Sequence, residues 1–147
     1  MGLFSKKKKA HPPYDCLKEE QQRALYFLLE YFSKFATIQY SDIDLPNPDA
    51  LNYLEKALWY FGLSQKDVDL LRPYHQKLEY IFELIKDINN RLILDYMVNN
   101  TFNLIILARG GNYEPAHKLF FDFWNQFNYS KQEISIITQK YMYRTDI

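Results

Sequence analysis

The sequence predicts an all-α domain: a single compact bundle of about seven helices, built from two related halves. Three observations carry this. Apolar residues recur at three- and four-residue steps, as in Leu25, Leu28, Phe32 and Phe35. No stretch sustains the period-two alternation of a half-buried strand. The pattern FGLSQKDVDLL (61–71) returns as FNYSKQEISII (127–137), where Ser64 is matched by Ser130.

A length of 147 residues suits one domain, which can bury about 68–70% of its unfolded-chain surface. The 13 Tyr and 11 Phe imply a bulky aromatic core with half-wet rings at its margin. The formal charge is zero but unevenly spread. Lys6, Lys7, Lys8 and Lys9 supply +4, and the remaining residues are mildly acidic. A nucleic-acid binder usually carries its basic face on the folded part, so this distribution argues against one. The lone Cys16 precludes an internal disulfide or a multi-cysteine zinc site and suits a reducing, cytoplasmic setting. The most apolar window, 92–108, is broken by Asp95, Asn99, Asn100 and Asn103, which reads as a core helix and not a membrane span.

Element by element, residues 1–13 are expected to form a flexible basic arm closed by Pro12-Pro13, with the helical domain over 14–147. A long helix over about 15–36, capped by Asp15, presents Leu17, Ala24, Leu25, Leu28, Phe32 and Phe35 inward. IQYSDIDLPNP reads as a loop. Asn47 caps the next helix and Pro48 sits in its first turn. Leu51, Leu54, Ala57, Leu58 and Phe61 form its inward face, and Gly62 ends it. Ser64 starts a short helix that closes at Arg72-Pro73. Helices over about 74–87 and 89–108 follow, with a weak break that could make them one bent rod. After the RGGN loop, Pro115 opens a helix burying Ala116, Phe120, Phe123, Trp124 and Phe127. Ser130 and Glu133 then form a capping box for the last helix, whose inner face is Ile134, Ile137 and Tyr141.

The repeat aligns without a gap. Ala50 meets Ala116, Leu54 meets Phe120, Leu58 meets Trp124, Phe61 meets Phe127 and Val68 meets Ile134. Together with the loop ILARGGNYEPAHKLF, these motifs resemble the tellurite-resistance TerB family over most of residues 20–142. The resemblance implies an all-helical domain of two similar halves, with loop acids that bind metal. It also implies a stress-response or membrane-linked scaffold role. The chain departs from the family pattern in the second half, where the Asp-Gly position has become Arg109-Gly110 or Gly110-Gly111. The later acid there falls on Ala116 or His117. The first half keeps Asp42, Asp44 and Asp49, with Asp49 seven residues after Asp42. These three are the candidate metal ligands, for a hard divalent cation such as calcium.

No residue set announces a reaction. Cys16 has no histidine partner beyond a sequence neighbour, and His11, His75 and His117 lack ligand spacing. The RGGN glycines follow a helix instead of a strand, so they do not form a phosphate loop. No cofactor or small-molecule substrate is indicated, and the chain reads as non-enzymatic. The arm joins an apolar tip, Leu3 and Phe4, to Lys6–Lys9, a combination suited to an anionic membrane surface. The expected function is a cytoplasmic interaction or scaffold module with a protein partner, peripheral at the inner membrane face. Tyr26, Tyr31, Tyr60, Tyr80 and Tyr143 are candidate contact rings. The alternatives are a metal-dependent regulator using the three aspartates and nucleic-acid binding through the lysine arm.

Overall fold

A computed structural model describes residues 9–40, 43–108, 111–144, 146 and 147, with the side chains of 37–40, 43 and 44 outside that description. Among these residues the elements are α1 (Glu19–Ser33), β1 (Thr37–Tyr40), β2 (Ile43–Pro46), α2 (Pro48–Phe61), α3 (Gln65–Leu71), α4 (Leu78–Ile85), α5 (Arg91–Ile105), α6 (Glu114–Asn125) and α7 (Lys131–Lys140). Two short 3-10 turns, Tyr14–Cys16 and Arg72–Tyr74, complete them. The bundle is all-α apart from one hairpin.

Helices α1 and α5 pack on each other at the centre. α1 also packs on α2 and α4, and α5 on α6 and α7. The reason lies in their sequences. Residues 24–29 of α1 are all buried, as are 97–101 of α5, so neither helix has a wide polar face to give to solvent. Rings weld the halves together. Phe32 of α1 lies 6.3 Å from Phe120 and 6.2 Å from Phe123, both edge-on.

The repeat is present in the backbone. Gly62 (φ 68°) and Asn128 (φ 65°) both take the left-handed conformation after their helices. In each, the next N–H reaches back five residues: Leu63 N–H donates to Leu58 O (2.9 Å), and Tyr129 N–H to Trp124 O (3.3 Å). These are two Schellman ends at matching positions, and they set the same reversal into the next helix. Both following helices are capped alike. Ser64 Oγ accepts from Asp67 N–H (3.2 Å) and Ser130 Oγ from Glu133 N–H (3.1 Å). The second box is closed by Ser130 N–H donating to Glu133 Oε1 (3.2 Å).

Several expectations are corrected. The stretch read as a loop is an antiparallel hairpin in which Ile38 faces Leu45. Four-residue strands are too short to show a period. Asp15 caps no long helix: it lies in the 3-10 turn, extended backbone at Leu17 (ψ 154°) follows, and α1 starts at Glu19. There Lys18 N–H donates to Gln21 Oε1 (3.1 Å), half of a capping box, because lysine offers no acceptor in return. Pro73 sits within a 3-10 turn, and α4 begins at Leu78 instead of Tyr74. Asn90 caps α5 by accepting from Ile93 N–H (3.3 Å), so α4 and α5 are two helices and not one bent rod. Residues 10–13 are packed on the domain. Ala10 is buried, and His11 N–H donates to Tyr60 O (2.8 Å). Leu51, expected inside, is 52% exposed, and Tyr26, expected on the surface, is buried.

Candidate binding surface

The two halves share a frame but fill it differently. At matching positions the first half has Leu54, Ala57, Leu58 and Leu63, where the second has Phe120, Phe123, Trp124 and Tyr129. The second-half rings close their own face. Trp124 is fully buried, and its Nε1–H donates to Thr101 Oγ1 (2.9 Å), whose hydroxyl turns to Met97 O (2.7 Å). In the first half the smaller side chains leave concavities. One, of about 630 Å³, runs between α1, α2 and α3. Tyr26, Leu54 and Leu58 line its apolar part, and Leu51 and Trp59 stand at its edge, Trp59 with 55% of its surface in water. A second, of about 800 Å³, lies on the other side of Leu63, between residues 9–23 and α3.

Arg72 bounds the first groove. Its Nε and Nη2 donate to the two oxygens of Glu30 on α1 (2.6 and 2.9 Å), and its Nη1 donates to Asp69 (2.8 Å). This fork is the geometry in which a guanidinium holds a carboxylate best. The bonds to Glu30, then to Asp69, push the Arg72 pKa further up. The bond from Arg72, then one from Gln65, holds Asp69 below the usual carboxylate range. Burial, then the Glu30 charge, pushes the Tyr26 phenol up. Beyond the ion pair lies a small recess of about 220 Å³ with Tyr31, Lys34 and His75 in its lining. The counterparts of Asp69 and Arg72 are Ser135 and Thr138, so the second half has no such clamp.

The sites expected from sequence fare as follows. Asp42 and the side chain of Asp44 lie outside the described residues. Asp49 is exposed in the first turn of α2, where its N–H donates to Asn47 Oδ1 (2.8 Å). Among the described residues no group of three His, Cys, Asp or Glu could hold a metal ion. Leu3, Phe4, Lys6, Lys7 and Lys8 lie outside the description too. Lys9 is exposed and lines the 800 Å³ groove. The histidines stay apart, each with a structural tie. His11 stacks on Trp59 at 3.7 Å, His75 stacks on Phe27 at 4.3 Å, and His117 Nε2 lies 3.0 Å from Gly111 O. Of the five candidate rings, Tyr143 (91%) and Tyr80 (47%) are exposed, Tyr31 and Tyr60 are half-buried, and Tyr26 is inside. Trp59 and Tyr74 are exposed rings that the sequence reading missed.

A polar cluster between α2, α5 and the C-terminal segment was also missed. Tyr53 Oη–H donates to Asn100 Oδ1 (2.6 Å), and Asn103 Nδ2 donates to Tyr53 Oη (3.4 Å). The Arg144 guanidinium lies 3.9 Å over the Tyr96 ring. Burial pushes the Tyr53 phenol up to about 12. Asn99 is buried with neither amide atom hydrogen-bonded. This cluster joins elements far apart in the chain. Among the described residues no helix is long and apolar enough to cross a membrane. No protein-family model, curated protein or solved structure matches the chain.

Proposed function

We propose that the chain is a non-enzymatic interaction module of TerB-like fold that docks an apolar segment of a protein partner along α2. The observation that carries this is the unequal filling of two equal frames. Aromatic rings seal the second half, while the first half keeps a groove edged by Leu51 and Trp59. Exposed aromatic and aliphatic anchors beside a concavity are what a partner's apolar side chains can desolvate. The Arg72–Glu30 fork supplies a rigid polar end that fixes orientation. The lone Cys16 suits a reducing, cytoplasmic setting, and the stress-related scaffold role rests on the TerB resemblance alone.

The test is selection of short peptides from a displayed random library against the whole chain, followed by affinity measurement on Trp59→Ala and Leu51→Ser. Both side chains are half-exposed, so both variants should keep the wild-type circular dichroism. Selected peptides should lose about tenfold or more in affinity to either variant, the loss of one anchor worth at least 1.4 kcal/mol. Unchanged binding, or a library that yields no binder, overturns the reading.

A further inference from the structure

We propose that the partner segment docked along α2 is an amphipathic helix that sets a lysine or arginine between two apolar anchors. This rests on the docking reading above and names the chemistry of its partner. The rim of the groove gives the spacing. Leu51, Glu55 and Trp59 follow one another at four-residue steps, which puts them in one row on α2, and all three line the groove and are exposed. At 1.5 Å per residue the row is about 12 Å long. An apolar segment that engages both Leu51 and Trp59 must therefore pass over the Glu55 carboxylate.

The charges say what that segment carries. Three carboxylates stand at or beside the groove, on Glu30, Glu55 and Asp69, against the single guanidinium of Arg72. Arg72 is spent on Glu30 and Asp69. Glu55 pairs with no cation among the described residues. A neutral segment laid across it would strip water from a carboxylate and return nothing, which is costly. A cation at that point restores the lost interaction, and an acid there is repelled.

The walls say what conformation it takes. Tyr26 and Glu30 lie within α1, and Leu51, Leu54, Glu55, Leu58 and Trp59 within α2. Backbone N–H and C=O groups inside a helix bond within that helix. An extended segment would find no backbone partners along these walls, whereas a helix arrives with its own backbone already paired. Apolar residues at i and i+7 or i+8 with Lys or Arg at i+4 reproduce the rim row in complement.

Selection from a displayed library of random peptides of about 16 residues, roughly four helical turns, against the whole chain tests this. Binders should carry that pattern. Glu55→Gln should weaken them about three- to fivefold and Glu55→Lys about tenfold, both at an exposed position that leaves circular dichroism unchanged. Replacing the binder's own cation by Gln should cost the same three- to fivefold, and the two losses should not add. Raising salt from about 0.1 to 1 M should weaken the wild-type complex. A proline at the centre of the bound stretch should cost about tenfold or more. Binders that depend on Trp59 but are uncharged, acidic or indifferent to Glu55→Lys overturn this proposal and leave the docking reading standing; so do binders that tolerate the proline. Binders indifferent to Trp59→Ala, or no binder at all, overturn both.

Discussion

Replacing Trp124 by leucine gives the second half the residue that the first half carries at Leu58, and it tests the claim that aromatic filling separates the two. The indole is fully buried and donates one hydrogen bond at 2.9 Å to Thr101. Losing that bond costs about 1 kcal/mol, and little more, because the Thr101 hydroxyl keeps its own bond to Met97 O. The lost ring area adds about 1 kcal/mol at roughly 25 cal/mol per Å². The cavity that the neighbouring Phe123, Phe127 and Tyr129 rings cannot fill adds about 1 kcal/mol more. The total, about 3 kcal/mol, corresponds to a fall in Tm of about 6–12 °C for a chain of this size. Urea unfolding followed by circular dichroism measures it, with calorimetry for Tm. The reverse exchange, Leu58→Trp, adds a ring to a half-open groove and should change stability by less than about 1 kcal/mol, while blocking peptides that need the groove. A loss below about 1 kcal/mol for Trp124→Leu, or equal costs for both exchanges, would refute the asymmetry.

Three further outcomes follow from the geometry. Ser130→Ala removes the capping oxygen of α7 and should cost about 1 kcal/mol in urea unfolding; Ser130→Asp should restore most of it. Arg72→Met leaves the Glu30 carboxylate, 17% exposed, without its fork, so about 1–2 kcal/mol should be lost, discounted for the solvent that reaches Arg72. The double variant Arg72→Met/Glu30→Gln should recover part of the loss. Alkaline titration is the third. Tyr53 keeps its proton to about pH 12 when folded, against 10.0 for a free phenol, and Tyr14, Tyr26 and Tyr129 are also raised, each chiefly by burial. The unfolded chain therefore ionises first. The stability these phenols contribute is whole below pH 10 and is lost as pH rises toward the folded pKa values, at about 1.4 kcal/mol per pH unit for each phenol. Phenolate absorbance should show a late class of tyrosines whose ionisation coincides with loss of ellipticity. A single titration near pH 10 in the folded protein would contradict this.

Much of the frame was legible because its signals are local. Gly62, Asn47 with Pro48, Pro115 and the two Ser-x-x-acid boxes each act within a turn, and each marks a helix end found in the structure. The inward faces of α6 and α7 could be read because rings or isoleucines recur on one side against clear polar positions. α2 was harder. Its apolar residues Leu51, Leu54, Leu58, Trp59 and Phe61 span more than one face, and spacing alone does not say which edge of so wide a stripe meets solvent. That excess width was the available signal for the groove. The hairpin escaped because two four-residue strands offer no period. Arg72 with Glu30 and Tyr53 with Asn100 are 42 and 47 residues apart, so they form only when tertiary packing brings their helices together.

Tyr60 has a part in the architecture that neither half explains. Its carbonyl accepts from His11 N–H, and its hydroxyl donates to Asp146 Oδ1 (2.9 Å), so one residue of α2 fastens both extremities of the described chain. The polypeptide is thereby drawn into a nearly closed ring with a polar clasp. The helix that carries Leu51 and Trp59 is thus tied through Tyr60 to residues 11 and 146, which stand 135 positions apart in the chain.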